Sequence, residues 1–175
     1  MFSHFKKGIF VKKLSWITHP QYDIALPKNH KFTASKFSDL FKYLQTNDFY
    51  FRSNILKPNK ASIEELELVH DREYILKVLK GTLTDKEIRR LGFNWSEVLS
   101  NRSFLAVNGT LLTCKEALKN GIANHLAGGT HHSHRNFGSG YCVFNDMAYA
   151  SKSLINSKFN SLVFFKTLRN GIGRT

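Results

Sequence analysis

Cysteine is nearly absent: Cys114 and Cys142 are the two in 175 residues. They lack both the CxxC spacing of a redox or zinc motif and the density of a secreted scaffold, which argues against a disulfide framework and for a reducing, cytoplasmic setting. Apolar runs are short, and none approaches the roughly 18 residues of a membrane span. The opening MFSHFKKGIFVKKLSW is basic but has no continuous apolar stretch of signal-peptide length, so no membrane partner is expected. Acidic side chains are few, 13 against 26 lysines and arginines, giving a net charge of +13. Such a balance raises the question of nucleic acid, because clustered cations release counterions from phosphates. Beyond KKGIFVKK, however, the cations recur singly and mostly as lysine, the pattern of a solvated surface rather than of a nucleic-acid footprint. Internal repeats are absent.

What is present is enough for a core. Hydrophobic residues make up 42% and aromatics 13% of the chain, which suits one domain of ordinary size. The segment LSWITHP, stopped by Pro20, predicts a strand running into the loop THPQYDIALPKNHKF. Phe37, Leu40, Phe41 and Leu44 then fall at helical spacing with Ser35 as N-cap. The run IEELELVHDREYILKVLKG predicts a helix pair, with Ser62 and Glu65 as a capping box and Gly81 as C-cap. From Ser100 the sequence places Phe104, Val107, Leu111, Cys114 and Leu118 on one helical face ending at Asn120-Gly121. IANHLAGG predicts a short buried strand, CVFNDMAYASKSLI a helix and SLVFF a further strand. This alternation implies βαβ units and a parallel sheet, whose ligands sit beyond the carboxyl ends of the strands.

At that place stands GGTHHSHRNFGSGYCVFND, residues 128–146. Neighbouring side chains on an extended strand point to opposite faces, but flanking glycines permit a turn that aims both imidazoles into one pocket. Two imidazoles of near-neutral pKa, one accepting and one donating a proton, suit general acid-base attack of water on an acyl group. Activating that water calls most readily for a metal ion. An isolated His-His pair is often an idle polar loop. A structural zinc site of His131, His132, His134 and Cys142 would lack the usual paired spacing.

The motif resembles the tandem-histidine motif of the histone deacetylase superfamily, in its bacterial acetoin-utilisation branch. HPQYDIALPKNHKF is similar to that family's N-terminal loop and ELELVHDREYI to the helix that follows, while GTL and RRLGFNWS fit the bacterial or class IV-like branch. The resemblance runs from about Trp16 to the end of the chain. It implies the N-terminal part of a three-layer α/β/α arginase/deacetylase-type sandwich with a mostly parallel sheet. It also implies a zinc- or iron-dependent hydrolase of acetyl-lysine-type amides, with an acetylated amine or acetyl-lysine as ancestral substrate. By motif match, His131 and His132 are the proton-transfer pair, Gly140 offers its carbonyl to the substrate amide and Tyr141 forms an aromatic wall of the acyl channel. Lys31 stands where an arginine is common, keeping the charge without the planar fork.

The family's metal-binding run, Asp-x-Asp-x-His-x-Gly-x-Gly, should follow SLVFF, where this chain reads FFKTLRNGIGRT. With Gly171 and Gly173 on the two glycines, Thr167 and Arg169 stand where ligands are expected, and Phe165 replaces the first Asp. A guanidinium repels a divalent ion and threonine is a poor replacement for a carboxylate, so no metal is expected in this chain. Carboxylates orienting the paired histidines would be missing too. The expectation is a truncated, degenerate and inactive deacetylase remnant, with noncatalytic binding of acetylated peptide or nucleic acid through a basic surface as the alternative. Its expected divisions are a basic extension at 1–15, a partial deacetylase-like domain at 16–165 and a degenerate tail at 166–175.

Overall fold

Leu14–Ile17 forms β1, the centre of a three-stranded parallel sheet. The structure, a computed structural model, describes residues 13–33, 35–47 and 53–157. The expected SLVFF strand, Phe165, Thr167 and Arg169, most of the basic extension and the tail lie outside these residues. Ser15 and Trp16 point to opposite faces of the sheet and both are buried, so β1 is covered on two sides as parallel strands are.

After β1, a 3₁₀ turn at Pro20–Tyr22 leads through a loop to α1, Lys36–Gln45, and then to β2, Ser53–Leu56. Three short helices follow, α2 at Ile63–Leu66, α3 at Arg72–Lys80 and α4 at Asp85–Leu91, and then the long α5 at Glu97–Asn120. The chain returns as β3, Ala123–His125, and closes the described part with α6, Asp146–Asn156. The sheet order is β2-β1-β3, with Trp16 opposite Ile55 on one side and Asn124 on the other. The chain therefore leaves β1 toward one edge and returns on the other. This makes the carboxyl ends of β1 and β3 a topological switch point, where two loops diverge and leave a crevice.

The local signals act as the sequence predicts for most helices. Ser62 Oγ accepts from Glu65 N while Glu65 accepts from Ser62 N, and Gly81 ends α3 in the left-handed region at φ 73°. On α5, Phe104, Val107, Leu111 and Cys114 are buried and Leu118 packs against them. Removing such side chains from water stabilises by about 1.5–3 kcal/mol each. Burial extends round α5 to Ser100, Arg102 and Ser103, because the helix is enclosed by the sheet, α3 and α6.

Two expectations are corrected, and two elements had none. Ser35 flanks α1 but makes no side-chain cap, and the Asp23 carboxylate accepts from Ser38 N at 3.2 Å instead. FRSNIL, given no element by the sequence analysis, supplies β2, and TDKEIRRL forms α4 behind its own capping box of Thr84 and Glu87. β3 is half-exposed rather than buried, with Asn124 open to solvent.

Candidate active site

The loop after β3 carries both histidines, and its shape follows from what lies beneath it. Gly129 adopts φ 103°, a conformation that favours glycine. Gly128 is glycine for a different reason: a Cβ there would collide with the His125 ring and Thr110 Oγ1. The chain then turns so that the His131 and His132 rings lie with centroids 4.2 Å apart, tilted by 40°. Both are exposed. The two imidazoles thus share one side of the loop, as acid-base cooperation requires. The Gly129 carbonyl accepts from His131 Nδ1 at 2.8 Å, which leaves His131 Nε2 free as an acceptor.

Gly140 and Tyr141 form the second strand of the site. Ser139 and Cys142 exchange backbone hydrogen bonds of 3.1 and 2.9 Å around them, and both central residues have positive φ, 54° and 64°. That is a type I′ turn, and Tyr141 is the one non-glycine residue with positive φ among those described. Holding an L-residue there costs about 1–2 kcal/mol, which its ring contacts offset. The Tyr141 ring lies 5.1 Å from Phe93, 5.6 Å from His30 and 5.8 Å from Phe32. Gly140 lies against the His132 side chain and its carbonyl accepts weakly from Cys142 Sγ.

Lys31 sits on the loop after β1 with its side chain exposed and without a hydrogen bond or ion pair among the described residues. Its neighbour His30 ties that loop to the site. His30 Nδ1 accepts from Phe32 N at 3.0 Å, so Nε2 is the protonated nitrogen and donates to Gly92 O at 3.0 Å. A cavity of about 390 Å³ opens beside it, lined by Pro27, Ile88, Arg89, Phe93 and Trp95 among others. Its lining does not include the paired histidines.

Several residues within the quoted stretches, given no role by the sequence analysis, have a stake in the site. His70 is buried under the loop: its Nε2 accepts from Asn145 N at 3.0 Å and its Nδ1 donates to Arg135 O at 3.2 Å. Asn145 caps α6 through Ala148 N and also donates to Ser133 O at 3.1 Å and, at 3.4 Å, to His131 O. Asp146, fully buried, accepts from Gly129 N at 2.8 Å and Thr110 Oγ1 at 2.7 Å. Burial pushes the Asp146 carboxyl up from the ordinary range, and these donors pull it back. Burial also raises the Cys142 thiol, against the pull of the His132 and His131 backbone N–H groups. The one signal available in the sequence was the acid of FNDMAYA, a charge within an otherwise apolar run.

No three His, Cys, Asp or Glu side chains converge to hold a metal among the described residues, the set His131, His132, His134 and Cys142 included. The stretch in which the family resemblance places metal ligands, Thr167 and Arg169 included, lies outside the described residues. No described helix is long and apolar enough to cross a membrane.

Comparison with known proteins shows the family and the fold. Residues 30–164 match the profile of the histone deacetylase domain. An uncharacterized protein of Picosynechococcus sp. is 38% identical over 138 residues, covering 79% of this chain and 46% of that protein. Acetoin utilization protein AcuC of Bacillus subtilis is 30% identical over 162 residues, covering 86% and 41%. Histone deacetylase 2 of Arabidopsis thaliana is 30% identical over 148 residues, covering 79% and 38%. The chain thus spans less than half the length of these curated relatives. The crystal structure of the HDA15 HD domain shares the fold, with a TM-score of 0.67 over 84% of this chain and 44% of that one at 15% identity.

Proposed function

The chain belongs to the histone deacetylase family, and from that premise we propose that it carries the proton-transfer loop of an acetyl-lysine-type amide hydrolase without the means to hydrolyse unaided. The observation that carries this reading is the pairing of His131 and His132 at 4.2 Å beyond the carboxyl end of β3. His131 Nε2 is free to take a proton, and His132 stands beside it to give one up. Gly140 and Tyr141, packed against His132 and the loop after β1, would receive the acyl group. Lys31 would guard the entrance as an exposed cation.

Inactivity rests on the chemistry of FFKTLRNGIGRT. Thr167 and Arg169 stand where the family's ligands are expected, and a guanidinium opposes a divalent cation. The profile match ends at Phe164, the first residue of this stretch and within the proposed 16–165 domain, flanked by the basic 1–15 extension and the 166–175 tail. The buried free thiols of Cys114 and Cys142 favour a reducing cytoplasm. The test is an acetyl-lysine peptide assay of the full chain with added zinc or ferrous iron. No turnover above buffer is expected, and metal-dependent turnover abolished by His131→Ala would overturn the reading.

A second reading, noncatalytic binding, is favoured by one surface feature. The Arg90 guanidinium lies 4.2 Å from the Phe137 centroid, and His134 stacks on the same ring at 4.4 Å. Arg90 and His134 are exposed, forming a cationic, aromatic rim that suits an acetylated peptide or nucleic acid. In the same preparation, salt-sensitive binding to either ligand would favour it over the first reading, and absence of binding would remove it.

A further inference from the structure

The orientation of His131 depends on one backbone carbonyl, that of Gly129, and a continuous hydrogen-bonded chain runs from there into the protein. Gly129 N donates to Asp146 Oδ2 at 2.8 Å, and Thr110 Oγ1 donates to the same oxygen at 2.7 Å. The Thr110 hydroxyl has one proton, so its contact with His125 Nδ1 at 2.9 Å must be one in which the imidazole donates. His125 Nε2 is then the acceptor, and Tyr22 Oη donates to it at 2.8 Å. Every direction in the chain is thereby fixed. Asp146 N closes the loop from the other side by donating to Thr130 O at 3.1 Å.

Two glycines are spent on accommodating this chain. A Cβ on Gly109 would lie 2.5 Å from both His125 Nε2 and Tyr22 Oη, and one on Gly128 would strike the opposite edge of the imidazole. Nearby, the buried Arg102 donates through Nε to Tyr22 O at 2.7 Å and provides a cation to face Asp146.

We propose that Tyr22, His125, Thr110 and Asp146 are positioning residues for the paired histidines, anchoring Gly129 so that its carbonyl holds His131 as the Nδ1–H tautomer with Nε2 open as base. A backbone carbonyl tied to a buried carboxylate thus does for His131 what a directly bonded carboxylate does in other acid-base histidines. The importance of this for chemistry rests on His131 and His132 being the proton-transfer pair. The tautomer itself does not.

The test is nitrogen-15 NMR of the full chain with labelled histidine at alkaline pH, where ring-nitrogen shifts report which nitrogen carries the proton. Relative to free histidine, which prefers Nε2–H, the wild-type His131 ratio should shift toward Nδ1–H by about fivefold, the bias of one ordinary hydrogen bond, enough to bring Nδ1–H level with or above Nε2–H. Thr110→Val should return His131 toward Nε2–H, Thr110→Ser should restore the wild-type ratio, and Tyr22→Phe, at the far end, should weaken the bias less. A wild-type His131 that is mainly Nε2–H overturns the proposal whether or not any variant folds. A folded Thr110→Val with the wild-type ratio overturns it as well. Hydrolysis in the peptide assay would sink the inactivity reading yet leave these ratios untouched, so the two failures are distinguishable.

Discussion

Replacing Gly109 by alanine separates local propensity from packing, because the two predict opposite signs. Gly109 lies in the interior of α5, where exchanging glycine for alanine ordinarily stabilises by roughly 0.5–1 kcal/mol. Here the new Cβ would stand 2.5 Å from His125 Nε2 and from Tyr22 Oη, about 1 Å inside van der Waals contact. Neither neighbour can step aside: Tyr22 is fully buried, and His125 is held at its other nitrogen by Thr110. Overpacking of this kind costs about 1–3 kcal/mol. Prising Tyr22 from His125 leaves a buried hydroxyl unpaired, a further 1–3 kcal/mol or so. Set against the propensity gain, the net expectation is a loss of about 1–5 kcal/mol. Urea denaturation of Gly109→Ala beside Lys115→Ala, an exposed change on the same helix, measures it. A Gly109→Ala midpoint at or above wild type would refute the placement of His125 and Tyr22 against this helix.

Acid sensitivity should follow His125. Burial pushes its imidazole down to about 3, with the Arg102 charge adding to the shift, from an ordinary value near 6.5. The residue is only half-buried, but Tyr22 and Thr110, which hold its two nitrogens, are both buried, so desolvation governs it. Between pH 6.5 and 3 the unfolded chain binds a proton that the folded chain refuses, so stability is lost as pH falls through that window. The full slope is about 1.4 kcal/mol per pH unit. His70, also lowered by burial, adds in the same direction, while Asp146, raised, opposes them. Urea midpoints measured across the window should fall less steeply in His125→Gln, and an unchanged limb would remove His125 as its source. A histidine scan should divide by burial: His70→Ala should lose about 2–4 kcal/mol, since it strands the Arg135 carbonyl and Asn145 N–H. His131→Ala and His132→Ala, both exposed, should stay within about 0.5 kcal/mol of wild type by thermal melting. Equal losses at all three would contradict the division.

What the sequence made legible was local. Ser62 and Glu65, Gly81 and the apolar face of α5 announce themselves by spacing, because capping and amphipathicity are decided within a few residues. The turn that carries the tandem histidines belongs to the same class, since glycines flank the imidazoles within one short stretch. β2 was hidden because SNIL is four residues long and its pattern is too short to separate strand from connector. α4 was missed for a smaller reason: Thr84 and Glu87 spell a capping box that went unread. The missed cap of α1 is a different matter. Asp23 supplies it from across a loop, and no spacing rule reaches there.

The same distinction explains why the site seemed to lack orienting carboxylates when read from sequence. That reading looked for them at the family's positions, in FFKTLRNGIGRT, and found threonine and arginine. A described carboxylate tied to the loop is Asp146, which reaches His131 through Gly129 rather than directly. His125 and Tyr22, linked to it through Thr110, come from the end of β3 and the turn after β1, the two parallel strands at which the strand order switches direction. A switch point collects residues distant in sequence by necessity, so the parts of a site most dependent on topology are those a linear reading loses first. It follows that the described contacts would hold the histidine loop whether or not a metal is bound beside it. The loop's geometry is maintained from beneath, by contacts that stabilise the fold whether or not the site performs chemistry.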